Sequence, residues 1–201
     1  MNIIITSAGQ RVSLIKSFQF ELKEIFPESK VFTADLNPVL APACHISDGY
    51  FKVPRVTAEK YIDEIIKICE ENNIKLIIPT IDTELLMLSK NTEKFKSHNI
   101  TALVSDHELI QKCRNKRLTN QLFQDHNIAV PKQYTLNNLE FPVFVKPYDG
   151  SLSKGIFIAD SQDDITQEHR QNEKLMYMEL ISNDEFDEFT VDCYYDKHAN
   201  L

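Results

Sequence analysis

The sequence is short of several residue types, and each shortage excludes a class of protein. Its 201 residues include only four glycines and no tryptophan, and the longest apolar runs are about five residues. A helix that crosses a membrane needs about 20 apolar residues. The first residues, MNIIITSAGQR, have no basic segment ahead of an apolar stretch, so they predict a strand and not a secretion signal. We therefore expect a cytoplasmic protein with no membrane partner.

Cysteine is scarce as well. The four cysteines, at 44, 69, 113 and 193, form no CxxC pair, which leaves a zinc or redox motif unsupported. Without a secretion signal they are predicted to be reduced, buried thiols. None of the six histidines pairs with a cysteine or another histidine at ligand spacing. The sequence therefore predicts no metal site within this chain.

Basic residues are outnumbered by acidic ones. The 22 lysines and arginines and 30 aspartates and glutamates give a net charge of −8. A broad basic face is excluded at this balance, so we expect no nucleic-acid partner. A local cluster of lysines can still hold a phosphate. The 42% of hydrophobic residues is ordinary for a globular protein and argues against disorder.

Short apolar runs alternate with helical patterns over the first half of the chain. Three segments predict helices: one with Ile15, Phe18, Leu22 and Ile25 on one face, then 58–71 and 83–95. Five segments predict strands, 3–6, 31–34, 51–53, 76–79 and 100–104. Strands that are apolar throughout are buried on both faces, as in parallel sheets with helical crossovers. The pattern predicts a doubly wound, Rossmann-like α/β domain over residues 1–113.

The pattern changes in the second half. Residues 105–126 predict a long helix with Asp106 as its N-cap. Four later segments predict strands without long helices between each pair, 141–146, 155–159, 175–180 and 189–195. We therefore predict a second, mostly antiparallel α+β unit over residues 114–201.

The most informative segment is VKPYDGSLSKGI, residues 145–156. It contains two of the four glycines, Gly150 and Gly155, with Ser151 and Ser153 between them. Glycine allows backbone N–H groups to approach a phosphate closely, and serine hydroxyls add donors. Lys146 and Lys154 flank the segment and supply positive charge. The alternative, an ordinary hairpin turn at Asp149-Gly150, stays open from these residues alone.

Three further residues indicate a function only through their order along the chain. Lys116 lies 30 residues before Lys146, in a charged helical segment. Glu179 ends an apolar run, and strand alternation predicts that it is partly buried. Glu188 opens the sequence EFTVD. Taken singly, each of these residues is as well explained by a solvated surface.

Taken together, this order resembles the nucleotide-binding half of an ATP-grasp enzyme, and most closely the group similar to the large subunit of carbamoyl-phosphate synthase. The first half resembles the domain that precedes ATP-grasp in that group, through residues 7–12, 53–56 and 79–85. The resemblance implies a pre-ATP-grasp doubly wound sheet followed by an incomplete ATP-grasp domain with a linker helix and a nucleotide-binding lid.

The resemblance also implies a role for each matching residue. Lys116 and Lys146 would contact the ATP phosphates, and the loop from Gly150 to Gly155, with Ser151, Ser153 and Lys154, would cover them. Glu179 would accept from the adenine amino group. Leu180 would belong to the same ATP site, and the backbone at Ile181 would pair with the adenine ring. Glu188 would hold the ribose hydroxyls.

The implied reaction is that of a carboxylate–amine ligase. ATP phosphorylates a small-molecule carboxylate, and an amine attacks the acylphosphate. The family's Mg²⁺ ligands and the groups that act on the transferred phosphate lie beyond the position of residue 201. We therefore expect no catalytic residue in this chain and no turnover by it alone. The loop also departs from the family pattern, because Leu152 stands where another glycine or small residue is usual.

Substrate recognition would then fall to the first domain. Gly9, Gln10 and Arg11 lie at a strand-to-helix turn, where doubly wound sheets collect ligands and where an anion is favoured. Asp82 and Glu84 follow the fourth strand at the same edge and would meet an amine. For these two acids the alternative is helix capping.

Two other functions stay open at this point. The first is a non-catalytic nucleotide- or metabolite-binding module. The second is a dinucleotide-binding domain, since Asp35 ends the second strand where a ribose-binding acid would lie, although GxGxxG is absent. A homo-oligomer is open as well.

Overall fold

A computed structural model describes residues 1–182, 184, 186–195 and 198. The chain divides into two compact units, Met1–Arg114 and Asn115–Leu201. The first unit contains a parallel sheet and the second an antiparallel one. The predicted α/β class, with a doubly wound parallel sheet followed by an α+β unit, is confirmed.

The first unit is built on five parallel strands in the order β3-β2-β1-β4-β5. Their bounds are β1 Asn2–Thr6, β2 Val31–Asp35, β3 Gly49–Lys52, β4 Ile74–Pro79 and β5 Thr101–Ala102. β1 lies at the centre, with Ile4 opposite Phe32 of β2 and Ile77 of β4. The isoleucines of β1 are fully buried because helices cover both faces of the sheet. The strand order reverses beside β1, which brings the loops after β1 and β4 to one edge.

Six helices belong to the first unit. They are α1 Val12–Ile25, α2 Pro42–Ile46, α3 Tyr61–Glu71, α4 Asp82–Lys90, α5 Thr92–Ser97 and α6 His107–Arg114. Two separate hydrophobic cores form on the sheet, one around Tyr61, Ile65 and Phe95 and the other around Ile15 and Leu22. These cores fix the positions of the strand ends.

Two helices that the sequence predicts as continuous are broken at asparagines. The segment 83–95 is two helices, because the Asn91 side chain donates to the Met87 carbonyl and ends α4. The segment 105–126 is also two helices, α6 and α7 Lys116–Asp125, because the Asn115 side chain accepts from the Arg117 backbone and starts α7. The predicted cap Asp106 is confirmed, since it accepts from the Glu108 and Leu109 backbones.

The second unit contains a four-stranded antiparallel sheet in the order β6-β9-β7-β8. Its strands are β6 Gln133–Tyr134, β7 Val143–Pro147, β8 Phe157–Ala159 and β9 Leu175–Glu179. A short helix, α8 Gln167–Gln171, lies between β8 and β9. Val143, Val145 and Tyr177 form the hydrophobic core of the second unit with neighbouring apolar residues.

Two sequence predictions about this region and the cysteines are wrong. Residues 189–195 are not a strand, because their apolar alternation finds no pairing partner among the described strands. Cys44 and Cys69 are buried as expected, but Cys113 and Cys193 are exposed. Within the described residues, no helix is both long enough and apolar enough to cross a membrane.

Candidate functional site

The loop that leaves β7 folds over a proline. A Cβ atom added to Gly150 would lie 3.3 Å from the Pro147 ring, and one added to Gly155 would lie equally close to it. Gly155 also has φ +69°, a conformation that favours glycine. The two glycines therefore let both ends of the loop pack on Pro147 and hold Ser151 and Ser153 between them.

The tip of the same loop is strained. Leu152 and Ser153 have φ of +55° and +53°, in the left-handed region that residues with a side chain rarely occupy. Leu152 is 85% exposed, so packing does not compensate for this conformation. The residue that departs from the family pattern is thus held in a conformation that glycine adopts freely.

The first residue of α7 meets this loop. The Lys116 ammonium donates to the Gly150 carbonyl at 2.6 Å, and its backbone N–H donates to the Tyr148 carbonyl at 3.0 Å. The next residue, Arg117, stacks over the Tyr148 ring at 4.7 Å and donates to the carbonyls of Glu173 and Leu175. These contacts fix the start of α7 against the ends of β7 and β9.

Three lysines converge on one cavity. Lys116, Lys146 and Lys154 line a space of about 280 Å³, together with Gly150, Ser151 and Ser153. None of the three forms an ion pair with a carboxylate of the described residues. Desolvation, and then the neighbouring charge of Lys116, lowers the pKa of Lys146 below the ordinary lysine value. Such a cluster of positive charge without ion pairs favours a polyanion.

A second, larger cavity adjoins the first. It has a volume of about 840 Å³ and shares Phe144 and Lys146 with the lysine cavity. The predicted adenine and ribose contacts line it, namely Glu179, Leu180, Ile181 and Glu188. Of the residues predicted to bind ATP, only Gly155 lines neither cavity, since it lies at the base of the loop.

Glu179 is exposed, and the prediction that it is partly buried is wrong. Both faces of β9 are buried up to Met178, so alternation does not apply along this strand, and Glu179 emerges at its end. One oxygen of Glu179 accepts from the Lys132 backbone at 3.0 Å. The other oxygen has no hydrogen bond to a described residue and can accept from a ligand.

In the first unit, most of the predicted substrate residues are engaged in contacts within the fold or face solvent. Arg11 donates to the carbonyls of Thr80 and Ser7, at 2.7 and 3.2 Å, and so ties together the ends of β4 and β1. The Gly9 N–H donates to Asp35 at 3.1 Å, and Gln10 is exposed. Asp82 forms an ion pair with Arg114. These four residues therefore make structural contacts or face solvent.

Glu84 is placed differently, because it is buried and lines a cavity. The cavity measures about 290 Å³ and lies at the carboxyl edge of the parallel sheet. The sequence analysis singled out Glu84, missed the wall residue Tyr61, and included Ser7 and Thr83 only within segments that match a family pattern. Arg55 was noted there only as part of a family pattern. It lines the same cavity, on the segment that follows β3.

Asp35, the candidate ribose-binding acid, is held by backbone groups of the first unit, and no cluster of metal ligands is found among the described residues. Asp35 accepts from the Gly9 and Asn37 backbones and thereby holds two turns. Across the described part of the chain, no group of three or more histidine, cysteine, aspartate or glutamate residues could hold a metal ion.

Two comparisons concern the sequence. The family model described as "PylC-like, N-terminal domain" matches residues 3–103, half of the chain. Alpha-aminoadipate–LysW ligase LysX of Saccharolobus solfataricus is 30% identical over 71 residues, which cover 30% of this chain and 26% of that protein.

Comparison with solved structures concerns the fold. The biotin carboxylase domain of 2-oxoglutarate carboxylase from Hydrogenobacter thermophilus, solved with MgADP, ADP and bicarbonate, has a TM-score of 0.66 at 14% identity and is matched over 44% of its chain. Biotin carboxylase from Campylobacter jejuni has a TM-score of 0.64 at 16% identity and is matched over 45%. Both likenesses cover 90% of this chain, which spans less than half of either structure.

Proposed function

This chain belongs to the family described as PylC-like, N-terminal domain, and its relatives support the wider ATP-grasp superfamily, so on that premise we propose that the second unit binds ATP. The observation that carries the proposal is the pair of adjoining cavities that share Phe144 and Lys146. One is lined with lysines and the other with apolar side chains and three carboxylates. That division matches a nucleotide, which has a polyanionic end and a planar end.

The triphosphate occupies the lysine cavity in this proposal. Lys116, Lys146 and Lys154 provide positive charge that no ion pair with a described carboxylate offsets, and Ser151 and Ser153 provide hydroxyl donors. Because Lys116 already donates to the Gly150 carbonyl, a phosphate also draws the loop toward α7. Gly150 and Gly155 keep the loop seated on Pro147 while its tip closes.

The nucleoside occupies the larger cavity. Phe144, Ile158 and Met178 provide an apolar wall for the adenine ring. Glu179 accepts from the amino group, and the backbone at Ile181 pairs with the ring edge. Glu188 accepts from the ribose hydroxyls, because carboxylate oxygens accept and hydroxyls donate.

The reaction we propose for the whole protein is carboxylate–amine ligation through an acylphosphate, similar to the chemistry of carbamoyl-phosphate synthase. Support comes from the relative named as a ligase and from the carboxylases that share the fold. ATP with Mg²⁺ would supply the phosphoryl group that activates the carboxylate. The residues of this chain would hold the nucleotide, and Gly9, Gln10, Arg11, Asp82 and Glu84 of the first unit would contact the small-molecule carboxylate and amine.

The test is a titration of the chain with MgATP by isothermal calorimetry. We expect saturable binding that weakens by about 10- to 100-fold in Lys146→Ala and in Lys116→Ala, since a charge-assisted hydrogen bond contributes about 1.5–3 kcal/mol. Lys67→Ala is the control, because it removes the same charge from an exposed position in the first unit. Equal affinity in all three variants would contradict the proposal.

A second measurement separates the ligase from the non-catalytic module. An acylphosphate formed on a carboxylate is trapped by hydroxylamine as a hydroxamate. In the natural full-length protein, hydroxamate formation that depends on MgATP and on Lys146 identifies the ligase. ATP binding without hydroxamate, over a panel of small carboxylates, identifies the module.

A further inference from the structure

Arg117 lies beside the lysine cavity without lining it. It follows Lys116, the first residue of α7, and it is half-buried. Within the described part of the chain, Arg117 forms no ion pair with a carboxylate. Its guanidinium instead contacts the face of one ring and two backbone carbonyls. A half-buried cation that is satisfied in this way is suited to holding neighbouring segments in place.

The contacts of Arg117 join three segments of the second unit. The guanidinium lies 4.7 Å from the centre of the Tyr148 ring, in the loop that leaves β7. One of its nitrogens donates to the carbonyls of Glu173 and Leu175, at 2.6 and 3.1 Å, where the chain enters β9. The Arg117 backbone N–H donates to the side chain of Asn115, which caps α7. A planar guanidinium can stack on a ring and donate from its edge at once, whereas a lysine ammonium offers no such plane.

Tyr148 is fixed on its backbone as well as on its ring. Its N–H donates to the Lys174 carbonyl at 2.9 Å, and its own carbonyl accepts from the Lys116 backbone at 3.0 Å. The next residue, Asp149, forms an ion pair with the Lys174 ammonium at 2.7 Å. The start of α7, the first residues of the loop and the entrance to β9 therefore form one connected network.

Lys116 needs this support because its ammonium lies among like charges. It shares a cavity with Lys146 and Lys154, and its charge contributes to the lowered pKa of Lys146. Repulsion of this kind favours conformations that carry the Lys116 ammonium away from the cavity. The ammonium donates to the Gly150 carbonyl at 2.6 Å, but Gly150 belongs to the loop whose tip closes in the proposed site. The Lys116 backbone is therefore best fixed by contacts outside the cavity.

We propose that Arg117 is a positioning residue for the phosphate end of the nucleotide site and that it acts through Lys116. By holding the first turn of α7 against Tyr148, it keeps the Lys116 ammonium in the lysine cavity before a ligand binds. Arg117 itself lines neither cavity. Donors that are already in place need less ordering on binding, and this strengthens affinity. The inference rests on the nucleotide binding proposed above, to which it adds the residue that prearranges one of the lysines.

The experiment titrates the chain and its variants with MgATP and with adenosine by isothermal calorimetry. We expect Arg117→Ala to weaken MgATP binding by about 10-fold, because Lys116 is no longer held where a phosphate would meet it. Adenosine has no phosphate and occupies only the larger cavity, so its affinity should stay the same. A variant that disturbs the whole second unit would weaken both ligands. The ratio of the two affinities therefore separates positioning from folding.

A double-mutant cycle tests whether Arg117 acts through Lys116. Arg117→Ala is introduced into the original chain and into the Lys116→Ala variant. In the second background we expect MgATP binding to change by less than about 2-fold, since no ammonium remains to be positioned.

Two further variants complete the series. Arg117→Lys keeps the charge but loses the planar fork, so it should weaken MgATP binding about as much as Arg117→Ala. Arg170→Ala is the matched control, because it removes an arginine of the same unit that lines neither cavity. It should leave both affinities unchanged.

Four results would each overturn the inference while the original chain still binds MgATP, and so leave the nucleotide site standing. Arg117→Ala leaves the MgATP affinity unchanged, or it weakens MgATP and adenosine equally. The loss is as large in the Lys116→Ala background, or Arg117→Lys binds MgATP as the original chain does. Absence of MgATP binding to the original chain would overturn the nucleotide proposal, and this inference with it.

Discussion

The two units differ in how the fold compensates a buried charge. In the first, the Glu84 carboxylate is surrounded by three hydroxyl donors and is well satisfied before any ligand binds. In the second, Lys146 is half-buried beside Lys116, and neither lysine forms an ion pair with a described carboxylate. One site is stabilised by hydrogen bonds within its own fold, whereas the other carries repulsion between two lysines that a bound anion would relieve. Removing the charge should therefore have opposite effects on the stability of the two units.

The largest effect is expected for Glu84→Ala. The substitution leaves the buried hydroxyls of Thr6 and Tyr61, and the half-buried hydroxyl of Ser7, without their acceptor. Each buried unsatisfied group costs about 1–3 kcal/mol. We expect the free energy of unfolding of the first unit to fall by about 3 kcal/mol, measured by urea denaturation. Glu84→Gln, which keeps an acceptor oxygen, should lose less. An equal loss in both variants would mean that the hydroxyls are satisfied elsewhere.

A smaller effect, with the opposite sign, is expected at the loop of the second unit. Leu152 has φ +55° and is 85% exposed, so Leu152→Gly removes backbone strain at little cost in packing. We expect the unfolding free energy of this unit to rise by about 1 kcal/mol. Leu152→Ala is the control, since it keeps a Cβ atom and hence the strain. If alanine stabilises as much as glycine, exposed apolar surface and not backbone strain explains the gain.

The sequence was sufficient for features that depend on local chemistry. Buried strands such as Ile3–Ile5 are apolar throughout, and the loop has Gly150 and Gly155 where its two ends pack closely on Pro147. The sequence could therefore predict which segments form the cavity walls. Their exact bounds were not, because Asn91 and Asn115 end and start helices through side-chain hydrogen bonds that compete with helix propensity.

The environment of Glu84 could not be predicted in the same way. Its three donors lie at positions 6, 7 and 61, up to 78 residues away, and only the sheet order brings them together. Glu179 shows the limit of a periodic pattern, since β9 is buried on both faces and alternation says nothing about its last residue. The strand predicted at 189–195 failed because alternation requires a partner strand, which a single sequence does not reveal.

The smallest effect is expected for Lys146→Met, which should stabilise the second unit by a few tenths of a kcal/mol in the absence of nucleotide. Desolvation and the Lys116 charge lower the pKa of Lys146 from 10.5, so the folded state disfavours its ammonium form. The penalty is complete while both the folded and the unfolded states are protonated. It is relieved as pH rises from the lowered pKa toward 10.5, because there the unfolded state binds more protons.

The stability difference between Lys146→Met and the original protein should therefore be positive at neutral pH and shrink toward zero at high pH, as measured by urea denaturation at several pH values. Lys67→Met, at an exposed lysine paired with Glu71, should show no such convergence. A variant that is less stable than the original protein at neutral pH would show that Lys146 stabilises the fold, and the contrast between the two units would fail.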